Sequence, residues 1–207
     1  MGIRTKKSVF YHTPRTGGIS VKEAIRLSGI NYDRTKHSQV KNRLKMYTEH
    51  ATPDGTIAED KDGLFSFCFV RHPIDWYKSF WSFRVAKGHV QIRNPLDYYC
   101  WDTIFERFVA NALDYYPDGY VTELYKLFVG ENLDKVDFIG KQENLVNDLI
   151  LALNMAGEEF DEDVIRNLKK YNRTFDRRAI SPRLGLSDYT RDRVLRVEKW
   201  VMDNFYV

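Results

Sequence analysis

Leu64-Phe65-Ser66-Phe67-Cys68-Phe69-Val70 restricts the fold more than any other stretch of this chain. It is a short, almost unbroken apolar run rich in aromatic and β-branched residues. That pattern predicts a central strand covered on both faces. The run ends at Arg71-His72, and Pro73 follows at the first-turn position that favours a helix start. The helix is expected to reach about Lys87, with Gly88 as its stop. The same alternation recurs on either side. Ser8 to His12 reads as a strand, a turn with Pro14, Gly17 and Gly18 follows, and Ile19 to Ser28 reads as a helix stopped at Gly29. Further along, the pattern predicts helices over Trp101–Leu113, Tyr120–Val129, Glu143–Ala156 and Asp161–Lys170, and a short strand over Val136–Gly140. A last amphipathic helix is capped by Ser187 and runs through Val194, Val197, Trp200 and Val201. A helix is also expected around residues 38–48, and a turn at Thr52-Pro53-Asp54-Gly55. Strands alternating with helices imply an α/β layer fold with a parallel sheet.

The chain has 207 residues, enough for one well-packed domain, so residues 1–207 are read as a single domain. Its 32 basic and 29 acidic residues leave a net charge of +3, too balanced for a nucleic-acid coat but compatible with a local basic pocket for a small polyanion. Two cysteines, Cys68 and Cys100, supply neither zinc spacing nor a disulfide framework, and a reducing, cytoplasmic setting is expected. The N-terminus turns polar at once and has no signal-like apolar stretch, and no apolar run reaches transmembrane length, so a soluble protein is expected. The aromatic residues Trp76, Tyr77, Phe80, Trp81 and Phe83 are expected in the core rather than as a sugar platform.

The chemistry centres on Pro14-Arg15-Thr16-Gly17-Gly18-Ile19-Ser20. A strand, a glycine-bearing turn and a helix in direct succession make an anion site, because the free backbone N–H groups and the helix N-terminus face the ligand. Gly17 and Gly18 allow close backbone approach. Arg15 adds a planar cationic fork, and Thr16 and Ser20 add hydroxyl donors. A loop for ATP or GTP would end in Gly-Lys-Ser/Thr and begin with glycine. Here Gly18-Ile19-Ser20 lacks the lysine and Thr13 replaces the first glycine, so a nucleoside triphosphate with Mg²⁺ is disfavoured. A second anion contact is expected where the central strand ends. Arg71 lies at the carboxyl end, where open α/β sheets bind ligands, and Ser79 lies about two helical turns further on.

Taken together these segments are specific. His12-Thr13-Pro14-Arg15-Thr16-Gly17-Gly18 resembles the His-x-Pro-Lys-Thr-Gly-Gly signature of sulfotransferases that use 3′-phosphoadenosine-5′-phosphosulfate (PAPS). Phe69-Val70-Arg71-His72-Pro73 with Ser79 resembles the family's Phe-Val-Arg-x-Pro segment and its downstream serine. Phe138-Ile139-Gly140-Lys141-Gln142-Glu143-Asn144-Leu145 resembles a third block, Phe-x-Gly-x-x-Glu-x-Leu, and the order is the family's own. The likeness is greatest to the carbohydrate-type branch. It implies a P-loop-like three-layer fold with a central, mostly parallel sheet flanked by helices. It also implies PAPS as donor, 3′-phosphoadenosine-5′-phosphate (PAP) as product, no metal, and a glycan or small-molecule hydroxyl as acceptor, with neither nucleic acid nor membrane as partner. By the same resemblance Pro14, Arg15, Thr16, Gly17, Gly18, Ile19 and Ser20 bind the 5′-phosphosulfate, and Arg71 and Ser79 bind the 3′-phosphate. Arg15 meets the bridging oxygen as the sulfuryl group leaves. His37, in Lys36-His37-Ser38, falls where related enzymes carry a Lys-His-Ser/Thr segment and is the leading general base, with Glu49 and His50 in reserve. Two positions depart from the family pattern: Arg15 stands for the usual lysine, and Ile19 for a hydroxyl residue. Two other readings stay open, a catalytically inactive protein of this fold that binds a nucleotide or a partner, and a P-loop kinase-like enzyme.

Overall fold

A computed structural model describes residues 2–36, 44, 51–88, 94–167 and 183–206. They fall into two compact units. The first holds residues 2–36, 51–71 and 126–167, and the second holds residue 44 together with 72–125 and 183–206.

The first unit is built on a five-stranded sheet: β1 (Ile3–Arg4), β2 (Ser8–Tyr11), β3 (Asp33–Arg34), β4 (Phe65–Val70) and β5 (Phe138–Lys141), in the spatial order β3-β1-β2-β4-β5. β2, β4 and β5 are parallel, with Tyr11 opposite Cys68 and Val70 opposite Lys141. β1 runs antiparallel to both of its neighbours, so four of the five strands point the same way. The mostly parallel α/β sheet expected from the sequence is therefore present. The apolar run of β4 is its middle, as its hydrophobicity on both faces requires. Its phenylalanines Phe67 and Phe69 join Phe10 on one face, with ring centroids 5.3 and 6.0 Å from Phe10. Against that face pack Val21, Ala24 and Ile25 of α1 (Gly18–Leu27) and Leu149, Ile150 and Leu153 of α6 (Leu145–Met155). The spacing i, i+3 and i+4, met by Val21, Ala24 and Ile25 and by Leu149, Ala152 and Leu153, puts the apolar residues on one stripe of each helix. Val9, Tyr11, Cys68 and Val70, on the other face, are buried as well.

Burial sets the chemistry of two of those groups. It pushes the Tyr11 phenol up to about 12, although Thr56 hydrogen-bonds it. It likewise pushes the Cys68 thiol up to about 12. α7 (Glu162–Arg166) starts at Asp161, whose carboxylate accepts from the Val164 N–H at 3.1 Å. The expected helix over Asp161–Lys170 is present in this part, and its last three residues lie outside the described residues.

The second unit is helical. α2 (Pro73–Lys87) has the bounds its sequence predicts, down to Gly88 in the left-handed conformation at φ 65°. Of its aromatic residues, Trp76, Tyr77, Phe80 and Trp81 are core, and Phe83 is half-buried. Trp76 stacks on Phe80 at 5.4 Å, Phe80 stacks on Phe108 at 5.8 Å, and Trp81 lies 5.7 Å from Phe105. Arg84, buried beside Phe80, is held by Asp97 through Nε at 3.0 Å and Nη2 at 2.8 Å.

Two expectations are corrected here. The helix expected over Trp101–Leu113 starts only at Phe105, as α4 (Phe105–Tyr115), and a loop separates it from a preceding short helix, α3 (Pro95–Tyr99). The Asp102 carboxylate accepts from the Ile104 N–H at 2.7 Å, and this local alternative to a helical bond holds the loop open. The single C-terminal helix is two, α8 (Asp188–Val197) and α9 (Lys199–Phe205), broken at Glu198. The Glu198 side chain is fully buried and accepts from Tyr77 Oη (2.8 Å), Val121 N (3.1 Å), Thr122 N (2.8 Å) and Thr122 Oγ1 (2.8 Å). It thereby caps the start of α5 (Tyr120–Val129), and four donors offset the cost of burying a carboxyl group. Ser187 caps α8 as expected, accepting from Thr190 N at 3.2 Å.

Candidate functional site

The loop between β2 and α1 is shaped by bonds within itself. Thr13 N–H donates to Tyr11 O at 3.0 Å, and the Val21 N–H donates to Gly17 O at 3.1 Å as the first bond of α1. The Thr16 hydroxyl, expected as a donor to a ligand, donates to Thr13 O at 2.8 Å. Two successive reversals turn the chain. Arg15 sits at φ 67° and Gly17 at φ 88°. A left-handed arginine is unusual, and it costs on the order of 1–2 kcal/mol unless the surroundings impose it.

Each glycine has its own steric reason. A Cβ on Gly18 would lie 1.9 Å from His12 Cδ2, so the imidazole fills the space that the missing side chain leaves. His12 also lies flat against Phe10, with centroids 6.1 Å apart, which ties the loop to the core. A Cβ on Gly17 would lie 3.1 Å from Leu145 Cδ2. The third sequence block thus closes on the loop from the start of α6.

The electrostatics of the α1 N-terminus favour an anion. Gly17 supplies no capping side chain, and the first turn has no acidic residue. The N-terminal N–H groups and the positive end of the helix dipole meet no carboxylate of the helix's own. Ile19 is 54% exposed and Ser20 is half-buried at this end.

Arg71 follows the last residue of β4, and its Nη1 donates to Arg15 O at 3.4 Å. Because β2 and β4 are parallel neighbours, both chain reversals lie at the same edge of the sheet. The sequence predicted each segment separately, and the parallel register joins them. Gly140 explains the third block in the same way. A Cβ there would come within 2.4 Å of Phe69 Cε1, so β5 can lie against β4 only without one. The Asp148 carboxylate accepts from Lys141 N at 2.6 Å and Asn144 Nδ2 at 2.7 Å, and fixes the passage from β5 to α6.

Ser79 is a half-buried residue of α2 in the second unit. His72 precedes that helix and packs edge-on to Tyr206 at 5.1 Å, a structural setting. His37, His50 and Glu49, the base candidates, lie outside the described residues, as does nearly all of the helix expected over 38–48. Cys68 and Cys100 are free and buried, and burial lifts both thiols to about 12, so neither is a thiolate nucleophile near neutral pH. Among the described residues no His, Cys, Asp and Glu group could hold a metal, and no helix is long and apolar enough to cross a membrane.

The sequence reading missed the left-handed Arg15 and the contacts of His12 and Leu145 with the glycines. Local patterns carry no signal for these, because each depends on which element packs over the loop. Comparison with family models finds a match to one described as the sulfotransferase family, over residues 4–204. Comparison with curated proteins and with solved structures finds no match.

Proposed function

Because the chain belongs to the sulfotransferase family, we propose that it moves a sulfuryl group from PAPS to a carbohydrate hydroxyl, with residues 1–207 acting as one sulfotransferase domain. Sulfuryl transfer follows from family membership; the donor, the acceptor and the residue roles are proposed. The observation that supports the anionic donor is the Arg71–Arg15 bond, which sets a guanidinium beside a loop whose helix has no acidic residue in its first turn.

Bound PAPS supplies a sulfur that exchanges its bridging oxygen to the 5′-phosphate for the acceptor oxygen, leaving PAP. The α1 N-terminus and the backbone N–H groups of Thr16, Gly17, Gly18, Ile19 and Ser20 meet the 5′-phosphosulfate oxygens, with Pro14 shaping the entry to the loop. Thr16 acts through its backbone, since its hydroxyl donates to Thr13. Arg15 neutralises charge building on the bridging oxygen. Arg71 and Ser79 hold the 3′-phosphate, the group that separates PAPS from a simpler donor. His37 accepts the acceptor's hydroxyl proton on an imidazole nitrogen, and it suits that task near neutral pH. Two buried, unpaired cysteines suit a reducing, cytoplasmic setting.

The test is thermal unfolding with PAP against ATP–Mg²⁺. PAP is expected to raise the midpoint and ATP–Mg²⁺ is not. No shift at millimolar PAP would sink the proposal. Transfer of labelled sulfate from PAPS to a panel of sugar and alcohol acceptors then tests turnover. A protein that binds PAP and labels nothing is the inactive nucleotide binder that the Arg15 and Ile19 departures allow.

A further inference from the structure

In the second unit, α3 and α4 bring tyrosines into a row. Tyr98 and Tyr99 end α3, Tyr115 ends α4, and Tyr116 follows it. Ring centroids lie 4.7 Å apart from Tyr98 to Tyr99, 4.6 Å from Tyr99 to Tyr115 and 4.9 Å from Tyr115 to Tyr116. The row continues inward to the buried Tyr120, 5.0 Å from Tyr116. Chain order accounts for two of these contacts, because Tyr98 and Tyr99 are neighbours in sequence, as are Tyr115 and Tyr116. Only packing accounts for the contact between Tyr99 and Tyr115, which joins two helices.

The contacts differ in geometry. Tyr98 and Tyr99, Tyr115 and Tyr116, and Tyr116 and Tyr120 meet edge-on, at interplanar angles of 83°, 70° and 72°. Tyr99 and Tyr115 are stacked with their planes 11° apart. Their hydroxyl ends lie together, since the Tyr115 phenol is held above its ordinary value by partial desolvation first and then by the Tyr99 phenol. Stacked rings with neighbouring hydroxyls set the ortho carbons of one ring against those of the other. Both rings are open to solvent, Tyr99 at 49% and Tyr115 at 42% exposure. A small oxidant can reach each phenol there, and water can take each phenolic proton. Tyr116 and Tyr120 are withdrawn from water, one half-buried and the other buried. Tyr189 is more open, at 71%, but no tyrosine ring lies against it among the described residues.

We propose that Tyr99 and Tyr115 are a site of oxidative modification, where one-electron oxidants formed from hydrogen peroxide join the two rings into an intrachain dityrosine that fastens α3 to α4. Each phenol gives one electron to the oxidant and its proton to water, which leaves two neutral phenoxyl radicals. The two unpaired electrons become a new bond between ortho carbons. The hydrogen on each joined carbon then passes to the oxygen of its own ring, which restores both aromatic systems. Hydrogen peroxide takes up the two electrons and two protons and becomes two molecules of water. The pair stands on either side of the loop that Asp102 holds open, so the bond closes a covalent ring of chain around that loop. Such a closure stabilises the segment chiefly by removing conformations from its unfolded state.

The test treats the native full chain, at low micromolar concentration and without PAPS, with a haem peroxidase and a limiting amount of hydrogen peroxide. Dityrosine fluorescence reports the bond, and a denaturing gel separates intrachain from interchain product. Tandem mass spectrometry of the digest locates the joined residues. The expected product is a monomer lighter by two hydrogen atoms, in which the peptides holding Tyr99 and Tyr115 are joined. Tyr99→Phe and Tyr115→Phe keep the ring and remove the oxidisable phenol. Each is expected to keep the native circular dichroism and to lose nearly all of the monomer's dityrosine fluorescence, whereas Tyr98→Phe retains it. Oxidation of the wild type in urea is expected to lose the preference for this pair, because the fold brings the two rings together. Absence of an intrachain bond, a bond located between other residues, or fluorescence that survives in the Tyr115→Phe monomer overturns the proposal. A product that is only interchain overturns it too, as does the same pairing in urea.

Discussion

Single residues decide the shape of the anion loop. Gly18 is required by the imidazole of His12, so Gly18→Ala must push that ring out of its place. Overpacking of this kind costs about 1–3 kcal/mol. The variant is expected to show a lower urea midpoint and weaker PAP binding together, and unchanged PAP affinity would mean that His12 does not set the loop. Arg71 has a double duty, since one guanidinium both holds the Arg15 carbonyl and faces the proposed 3′-phosphate. A hydrogen bond to a charged group contributes about 1.5–3 kcal/mol. Arg71→Ala is therefore expected to weaken PAP by roughly 10- to 150-fold, read by calorimetry. His37→Ala should leave PAP binding intact and slow sulfate transfer by about 10²–10⁴-fold. An unaffected rate would place the base elsewhere. The residue types at these positions were legible in the sequence. The left-handed Arg15 and the inward Thr16 hydroxyl were not, because both are set by what surrounds the loop.

At the scale of elements, the boundaries carried by glycine and proline were the readable ones. Pro73 and Gly88 bracket α2, and both act through their own backbone restrictions. The reading of the C-terminal helix failed because a bond reaches it from elsewhere in the chain, whereas the Trp101–Leu113 reading failed on the local bond between Asp102 and Ile104. The C-terminal helix reads as continuous because Val194, Val197, Trp200 and Val201 keep helical spacing. It breaks at Glu198, whose carboxyl group is held by donors more than seventy residues away in sequence. Glu198→Ala leaves Tyr77 Oη, two backbone N–H groups and Thr122 Oγ1 without that acceptor. At about 1–3 kcal/mol for each buried orphan, softened by rehydration, a total loss of about 3–4 kcal/mol is expected in chemical denaturation. Burial raises the Glu198 carboxyl above its ordinary value against the opposing pull of its hydrogen bonds. A raised folded-state value means that the group's stabilising contribution is complete below the unfolded value and is lost as pH rises through the folded one. Glu198→Gln should therefore flatten the fall in stability expected of the wild type as pH rises from the unfolded value through the folded one. Parallel slopes for the two proteins would show that another group carries the dependence.

Over the whole molecule, ligand linkage and thiol reactivity are the measurable consequences. If PAP binds only the folded chain, then at 100-fold over its dissociation constant it adds about 2.7 kcal/mol. For a protein of this length that corresponds to roughly 5–10 °C in the unfolding midpoint. Cys68 and Cys100, each buried and each pushed to about 12, should resist alkylation at pH 8 in the native protein and react fully once it is unfolded. Mass spectrometry of the labelled protein reads this directly, and labelling of either thiol in the native state would contradict the burial described. The family match spans 4–204 and so covers both compact units, while the loop and Arg71 lie within the first.

The sequence by itself determined the α/β class, the central strand, the turn between β2 and α1 and the family, because hydrophobic period, turn chemistry and motif spacing are local properties of the chain. Only the tertiary structure decided that Arg71 reaches the loop, that His12 and Leu145 account for Gly18 and Gly17, and that Tyr99 and Tyr115 stack between α3 and α4. Those relations join residues through parallel strand register and helix packing, across separations that no local pattern records.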